Sequence, residues 1–123
     1  MSRIGGRRFL YAWQMLKAAS QPGPQATAWR VGDVEWRRSR HSITTPDYVT
    51  TLDIHRLDYH HGGTSWSVMV VAESWWDERQ TLIRSQVWAT HLAGDRNAIS
   101  RWMDGQATAL PRVGLMSSTE AEE

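Results

Sequence analysis

The sequence of 123 residues contains no cysteine, one phenylalanine and one lysine. The missing cysteine excludes a disulfide framework, a thiolate metal site and a cysteine nucleophile. No apolar run approaches the roughly 20 residues that a membrane-spanning helix needs, so no membrane partner is predicted. Hydrophobic residues make up 41% of the chain. At this length, one domain can bury a sizeable core without covalent cross-links.

A basic segment precedes a short apolar run near the N-terminus, which is the order found in secretory signals. Arg7 and Arg8 stand before residues 9–13, but Gln14 and Lys17 interrupt the apolar run almost at once. A signal core needs about 7–15 uninterrupted apolar residues. The segment is therefore predicted to belong to a mature, cytoplasmic protein.

Tryptophan and arginine are both unusually abundant. There are eight tryptophans, and because Lys17 is the only lysine, 13 of the 14 basic residues are arginine. Guanidinium groups stack on aromatic rings, and both residue types are enriched at binding hot spots. GC-rich coding also favours arginine over lysine, but it accounts less well for the tryptophans.

Helical periodicity marks the two ends of the chain. Phe9, Trp13 and Leu16 recur at helical spacing, which predicts a helix over 7–20 that ends before Pro22. A second helix is predicted over 95–104. Its N-cap is Asp95, and Gly105 is expected just beyond its last turn.

Strand patterns fill the region between the helices. Strands are predicted over 27–31, 34–38, 48–59, 64–76 and 81–90, with residues 39–47 as a polar loop. Gly32 predicts a type II′ turn, and a change of alternation predicts a bulge near His55 and Arg56. The fold class is therefore α+β, in the order α-β-β-β-β-β-α. A curved antiparallel sheet of four to five strands carries both helices on one face. One domain is predicted over 1–116, followed by a mobile acidic tail over 117–123.

The predicted strand over 64–76 is apolar on both sides. Two short helices can cover only one face of the sheet, which leaves Met69, Val71 and Trp75 on the other. An antiparallel sheet with one wet face normally alternates between apolar and polar residues. We therefore predict a homodimer through the sheet, with these three residues at the interface.

The tryptophans supply the main functional prediction. Trp66, Trp76 and Trp88, together with Glu73 and His91, are predicted to line a pocket for an apolar small molecule. A protein partner at a tryptophan-rich interface is a variant of the same function, and a densely packed core is the structural alternative. This protein would be a binding protein without a cofactor.

A nucleic-acid interface is the second functional alternative. Trp36, Arg37, Arg38 and Arg40 combine an aromatic ring with positive charge at the end of a strand. The net charge of only +1 argues against a dedicated nucleic-acid binder.

An enzyme of unknown reaction is the third alternative, and it would use histidine and carboxylate side chains. Glu73 with His91 could serve in acid–base chemistry, but no catalytic residue is assigned. Asp58, His60 and His61 have the residue types of a metal site. Their spacing matches no closed motif, so a solvated hairpin end is favoured and no metal is predicted.

Overall fold

The computed structural model describes residues 2–110, which form an antiparallel sheet and two helices. The elements are β1 (Ser2–Arg3), α1 (Arg7–Ser20), β2 (Ala28–Val31), β3 (Val34–Thr44), β4 (Tyr48–His61), β5 (Thr64–Asp77), β6 (Leu82–Ala93) and α2 (Arg96–Thr108). The strand order across the sheet is β1-β6-β5-β4-β3-β2. This confirms the predicted α+β fold with five strands between two helices, to which β1 adds a two-residue edge strand. The acidic tail predicted over 117–123 lies outside the described residues.

The first helix has the predicted bounds, whereas α2 continues beyond its predicted end. Asp95 caps α2 as expected, accepting a hydrogen bond from the Asn97 backbone N–H at 2.9 Å. Gly105 lies inside the helix instead of following it, so the predicted end was wrong. A glycine inside a helix costs only about 1 kcal/mol. Ala107 and Leu110 pack against the core and hold the additional turn in place.

Two-residue turns join β2 to β3 and β4 to β5. In the first, Val31 pairs with Val34, and Gly32 has the positive φ of 58° that a type II′ turn requires at its first position. In the second, Gly62 and Gly63 have φ values of 57° and 79°. The first turn matches its predicted position. The second is shorter than the connection over 60–63 that the sequence predicts, because residues 60 and 61 belong to β4.

Two details of the strand prediction were wrong. The predicted polar loop over 39–47 is strand as far as Thr44, because residues 39–44 pair with 49–54 of β4 despite their polarity. The bulge predicted near His55 and Arg56 does not occur, since β4 keeps one register on both sides there. The bulges instead lie between β5 and β6, at Ser67/Val68 and at Trp75/Trp76.

The helices cover only part of one sheet face, called the front face below. Under them lies a core that includes Trp13, Trp36, Leu57, Trp66 and Met103. Beyond the helices, no residue in 39–53 or 72–87 is fully buried. These two ranges are called the open end of the sheet. Among residues 2–110, no helix is long and apolar enough to span a membrane.

Candidate functional site

A cluster of charged side chains lies where the core meets the open end, with Asp53 at its centre. Arg38 donates from Nε and Nη2 to the two carboxylate oxygens, at 2.8 and 3.2 Å. Lys17 Nζ and Arg40 Nη2 lie 3.8 and 3.7 Å from Asp53 Oδ2. Three cations from α1 and β3 therefore surround one carboxylate from β4.

A buried histidine forms the inner wall of this cluster. His55 follows Asp53 by two residues on β4, so both side chains point to the front face. Trp36 Nε1 donates to His55 Nδ1 at 2.9 Å, which places the proton of the neutral imidazole on Nε2. Nε2 lies 3.4 Å from Asp53 Oδ2 but has no well-aligned hydrogen-bond partner among the described residues.

The protonation states follow from burial and from these contacts. Burial lowers the pKa of His55, and the neighbouring Asp53 carboxylate only partly opposes this effect. Burial alone would raise the pKa of Asp53, but the facing His55 and Arg38 side chains outweigh it and hold the pKa well below its usual range. Burial also lowers the pKa of Lys17, against the effect of Asp53. At neutral pH the cluster contains one anion and more than one cation, so its surroundings attract anions.

A groove runs along the front face beside this cluster. It consists of two adjoining depressions that share Ala72, with volumes of about 270 and 450 Å³. The first is lined by Arg40, Thr51, Asp53, Ala72, Ser74 and Trp76. The second is lined by Trp13, Gln14, Lys17, Ala18, Gln21, Ala72 and Val87. Volumes of this order suit a small organic ligand. This surface is called the front groove below.

The structure does not bring the five predicted pocket residues together. Trp66 is packed in the core against Tyr59, with ring centroids 5.2 Å apart. Trp76 lines the front groove, where its Nε1 donates to Thr51 Oγ1 at 3.3 Å. Trp88 lies on the opposite face, under the Arg3 guanidinium at 5.5 Å from the ring centroid.

The two polar members of that predicted pocket are also separated from the groove. Glu73 lies on the face opposite the helices and accepts a hydrogen bond from Gln86 Nε2 at 2.9 Å. His91 Nε2 contacts the Gly94 carbonyl oxygen at the far end of β6. Of the five predicted residues, only Trp76 lines the front groove.

The residues predicted for nucleic-acid binding do not form one exposed surface. Trp36 is fully buried, and the Arg38 side chain is only 9% exposed in its pair with Asp53. Arg37 and Arg40 are 63% and 60% exposed, but alternation along β3 places them on opposite faces.

The three residues with the side-chain types of a metal site, Asp58, His60 and His61, do not converge on one point. Asp58 accepts hydrogen bonds from Ser67 Oγ at 2.5 Å and from Arg56 Nε at 3.1 Å. His61 Nδ1 lies 3.5 Å from Asp33 Oδ2, and His60 is exposed. Within residues 2–110, no three histidine, aspartate or glutamate side chains are grouped so that they could hold a metal ion.

Sequence reasoning missed the pairing of Arg38 with Asp53 and the burial of His55. Asp53 and His55 alternate in phase with Leu57, which faces the core. That phase was the available signal, because it places both polar side chains on the same face as Leu57. Their partners on β3 follow only from the strand register.

Comparison with known proteins adds no assignment. The chain matches no family model, and no significant match to it was found among the curated proteins or the solved structures.

Proposed function

We propose that this protein binds a small amphipathic anion, an apolar and preferably aromatic molecule with one acidic group, in the front groove. The observation that carries the proposal is the excess of cations beside an apolar wall. This retains the predicted apolar small molecule and adds an acidic group to it.

The apolar end of the ligand would lie against Trp76, Ala72 and Val87. The indole of Trp76 is oriented by its hydrogen bond to Thr51, so its position is defined before a ligand arrives. Aromatic pairs contribute about 0.5–1.5 kcal/mol beyond the apolar area that they bury. An aromatic ring is therefore favoured over an aliphatic chain at this position.

The acidic end of the ligand would lie between Lys17 and Arg40. Arg38 already satisfies both oxygens of Asp53 through its bidentate contact. Lys17 and Arg40 lie at longer distances from Asp53, at 3.8 and 3.7 Å, so their ammonium and guanidinium groups retain donors for a second anion. A carboxylate or sulfonate fits this pair of cations.

A binding function accounts for the cluster better than catalysis does. A general base must reach its substrate within hydrogen-bond distance. His55 is fully buried, and its unprotonated Nδ1 already accepts a hydrogen bond from Trp36. Asp53 is held ionised by its cationic neighbours and is a correspondingly weak base.

Two dyes with one apolar skeleton test the proposal by fluorescence titration. 1-Anilinonaphthalene-8-sulfonate carries an acidic group, and N-phenyl-1-naphthylamine lacks it. We expect the sulfonate to bind more tightly, and Arg40→Gln to weaken its binding about two- to fivefold, as expected for the loss of one largely exposed charge contact. Binding of the neutral dye should not change.

Arg37→Gln is the matched control, because Arg37 is similarly exposed on the same strand but on the opposite face. It should leave the binding of both dyes unchanged. Ala72→Phe, which fills the junction of the two depressions, should abolish binding of both. Equal affinity for the two dyes, or equal effects of Arg40→Gln and Arg37→Gln, would refute the proposal.

A further inference from the structure

The sheet has a second apolar surface on the face opposite the helices, called the back face. Six apolar side chains form it, and the strand register places them around Glu73, which lies between Val71 and Trp75 on β5 and opposite Leu52 on β4. They are Leu52, Ile54, Met69, Val71, Trp75 and Trp88, together called the back patch. Ile54, Val71 and Trp88 lie side by side in one row across three strands. The three residues that the sequence predicts at an interface are all in this patch.

No helix within residues 2–110 packs on the back patch, because both helices lie on the front face. Only the guanidinium groups of Arg3 and Arg84 lie over its two indole rings. Val71 is shielded to 5% exposure by its neighbours, whereas the other five side chains remain partly exposed. Contiguous apolar surfaces of this kind mark interaction sites. We infer that the back patch is the interface of a two-fold homodimer in which two sheets pack face to face.

The back face that surrounds the back patch is large enough for such a dimer. The patch itself lies on β4, β5 and β6, and the back face extends from it onto β3. Four strands at a spacing of about 4.8 Å, and four rows of side chains at about 6.7 Å, span about 500 Å² in projection. Two copies would then bury about 1,000 Å², which is the lower limit for a specific interface. Side-chain relief increases the accessible area above this flat projection. Two sheets packed in this way form an ordinary aligned sandwich.

The charges around the back patch favour a second copy over a strongly charged partner. Arg37 pairs with Glu35 at 3.4 Å, and Arg56 pairs with Asp58 at 3.1 Å. Arg84 lies over the Trp75 ring, with its guanidinium carbon 5.1 Å from the centroid. Glu73 adds a third carboxylate to this face, and Arg3, which lies over the Trp88 ring, adds a fourth arginine. A nucleic acid or an anionic membrane would therefore meet an excess of only one positive charge, whereas an identical face offers charged partners of both signs.

Sedimentation velocity of the full chain over about two decades of concentration, from roughly 1 to 100 µM, tests the inference. The fraction of a reversible dimer rises with protein concentration. We expect a reversible monomer–dimer equilibrium that Ile54→Glu shifts to monomer. Tyr11→Glu is the control, because Tyr11 is an apolar residue on α1 with 66% exposure, on the other side of the molecule. It should leave the dimer intact. Both variants should retain the wild-type circular dichroism spectrum.

A second measurement tests the dimer without introducing a charged residue such as the glutamate of Ile54→Glu. Because the chain contains no cysteine, Thr50→Cys and Tyr11→Cys each provide a single site for a spin label. Intermolecular distances should be short at position 50 on the back face and longer at position 11. A monomer at all concentrations, a dimer insensitive to Ile54→Glu, open-ended polymers, or distances in the reverse order would overturn the inference. Because the front groove is on the other face, dye binding by a monomer would leave the proposed function standing.

Discussion

Replacing Arg38 by methionine tests whether the charged cluster acts as one unit. The substitution removes two hydrogen bonds to Asp53 and one to the Pro24 carbonyl oxygen, but keeps a long apolar side chain. Breaking a fully buried ion pair costs about 3–5 kcal/mol. Lys17 and Arg40 would still face the carboxylate, which is 16% exposed, so we expect a smaller loss of about 2–3 kcal/mol.

The assay is urea unfolding followed by tryptophan fluorescence. A loss of this size should lower the unfolding midpoint by about 1 M or more at a typical urea dependence. Arg37→Met is the control, because Arg37 is 63% exposed and makes one long contact with Glu35. It should change the free energy of unfolding by less than about 0.5 kcal/mol.

Asp53→Asn completes a double-mutant cycle. If Arg38 acts mainly through Asp53, the two substitutions remove the same interaction. The double variant should then lose less free energy of unfolding than the two single variants together, by at least about 1 kcal/mol. Strict additivity, or an Arg38→Met variant as stable as Arg37→Met, would refute the reasoning. Such a result would show that the contact is present but contributes little to stability.

The remaining predictions concern glycines and pH. Gly94→Ala should destabilise by about 2 kcal/mol or more, because φ is +83° and the added Cβ would lie 2.5 Å from the Ser65 carbonyl oxygen. Gly105 lies within α2, and a Cβ added there would meet no atom within 4 Å, so Gly105→Ala should raise the free energy of unfolding by about 0.5–1 kcal/mol. Thermal unfolding should therefore show a lower midpoint for Gly94→Ala and a higher midpoint for Gly105→Ala. Because burial lowers the pKa of His55, its contribution to stability is complete above about pH 6.5 and is lost as the pH falls below that value. Nitrogen NMR should show His55 at pH 7 as the neutral Nε2–H tautomer, and a cationic ring or an Nδ1–H tautomer at that pH would contradict the assignment.

The parts of the fold that local pattern determines were predictable from the sequence. The spacing of Phe9, Trp13 and Leu16, with Pro22 beyond them, was sufficient for the bounds of α1. Gly62 and Gly63 between two strongly patterned strands were sufficient for the central hairpin. In these places the local preference and the tertiary structure agree.

The remaining features depend on partners that are distant in the sequence. Residues 39–44 show no apolar alternation, and they form a strand because β4 offers them a continuous partner. Trp36 and Arg38 resemble an exposed basic–aromatic surface until the register shows that His55 and Asp53 face them. Alternation alone tells which residues share a face, but not which face receives the helices.

The uneven cover of the sheet has a consequence for its motions. Since the open end contains no fully buried residue, its backbone hydrogen bonds are protected mainly by the ladder itself. Amides there should exchange with solvent through opening of that region alone, while the helix-covered half exchanges only through global unfolding. A ligand seated in the front groove, or a second sheet on the other side, would make this opening rarer and so slow exchange across the whole open end. Added ligand and raised protein concentration would distinguish the two occupants.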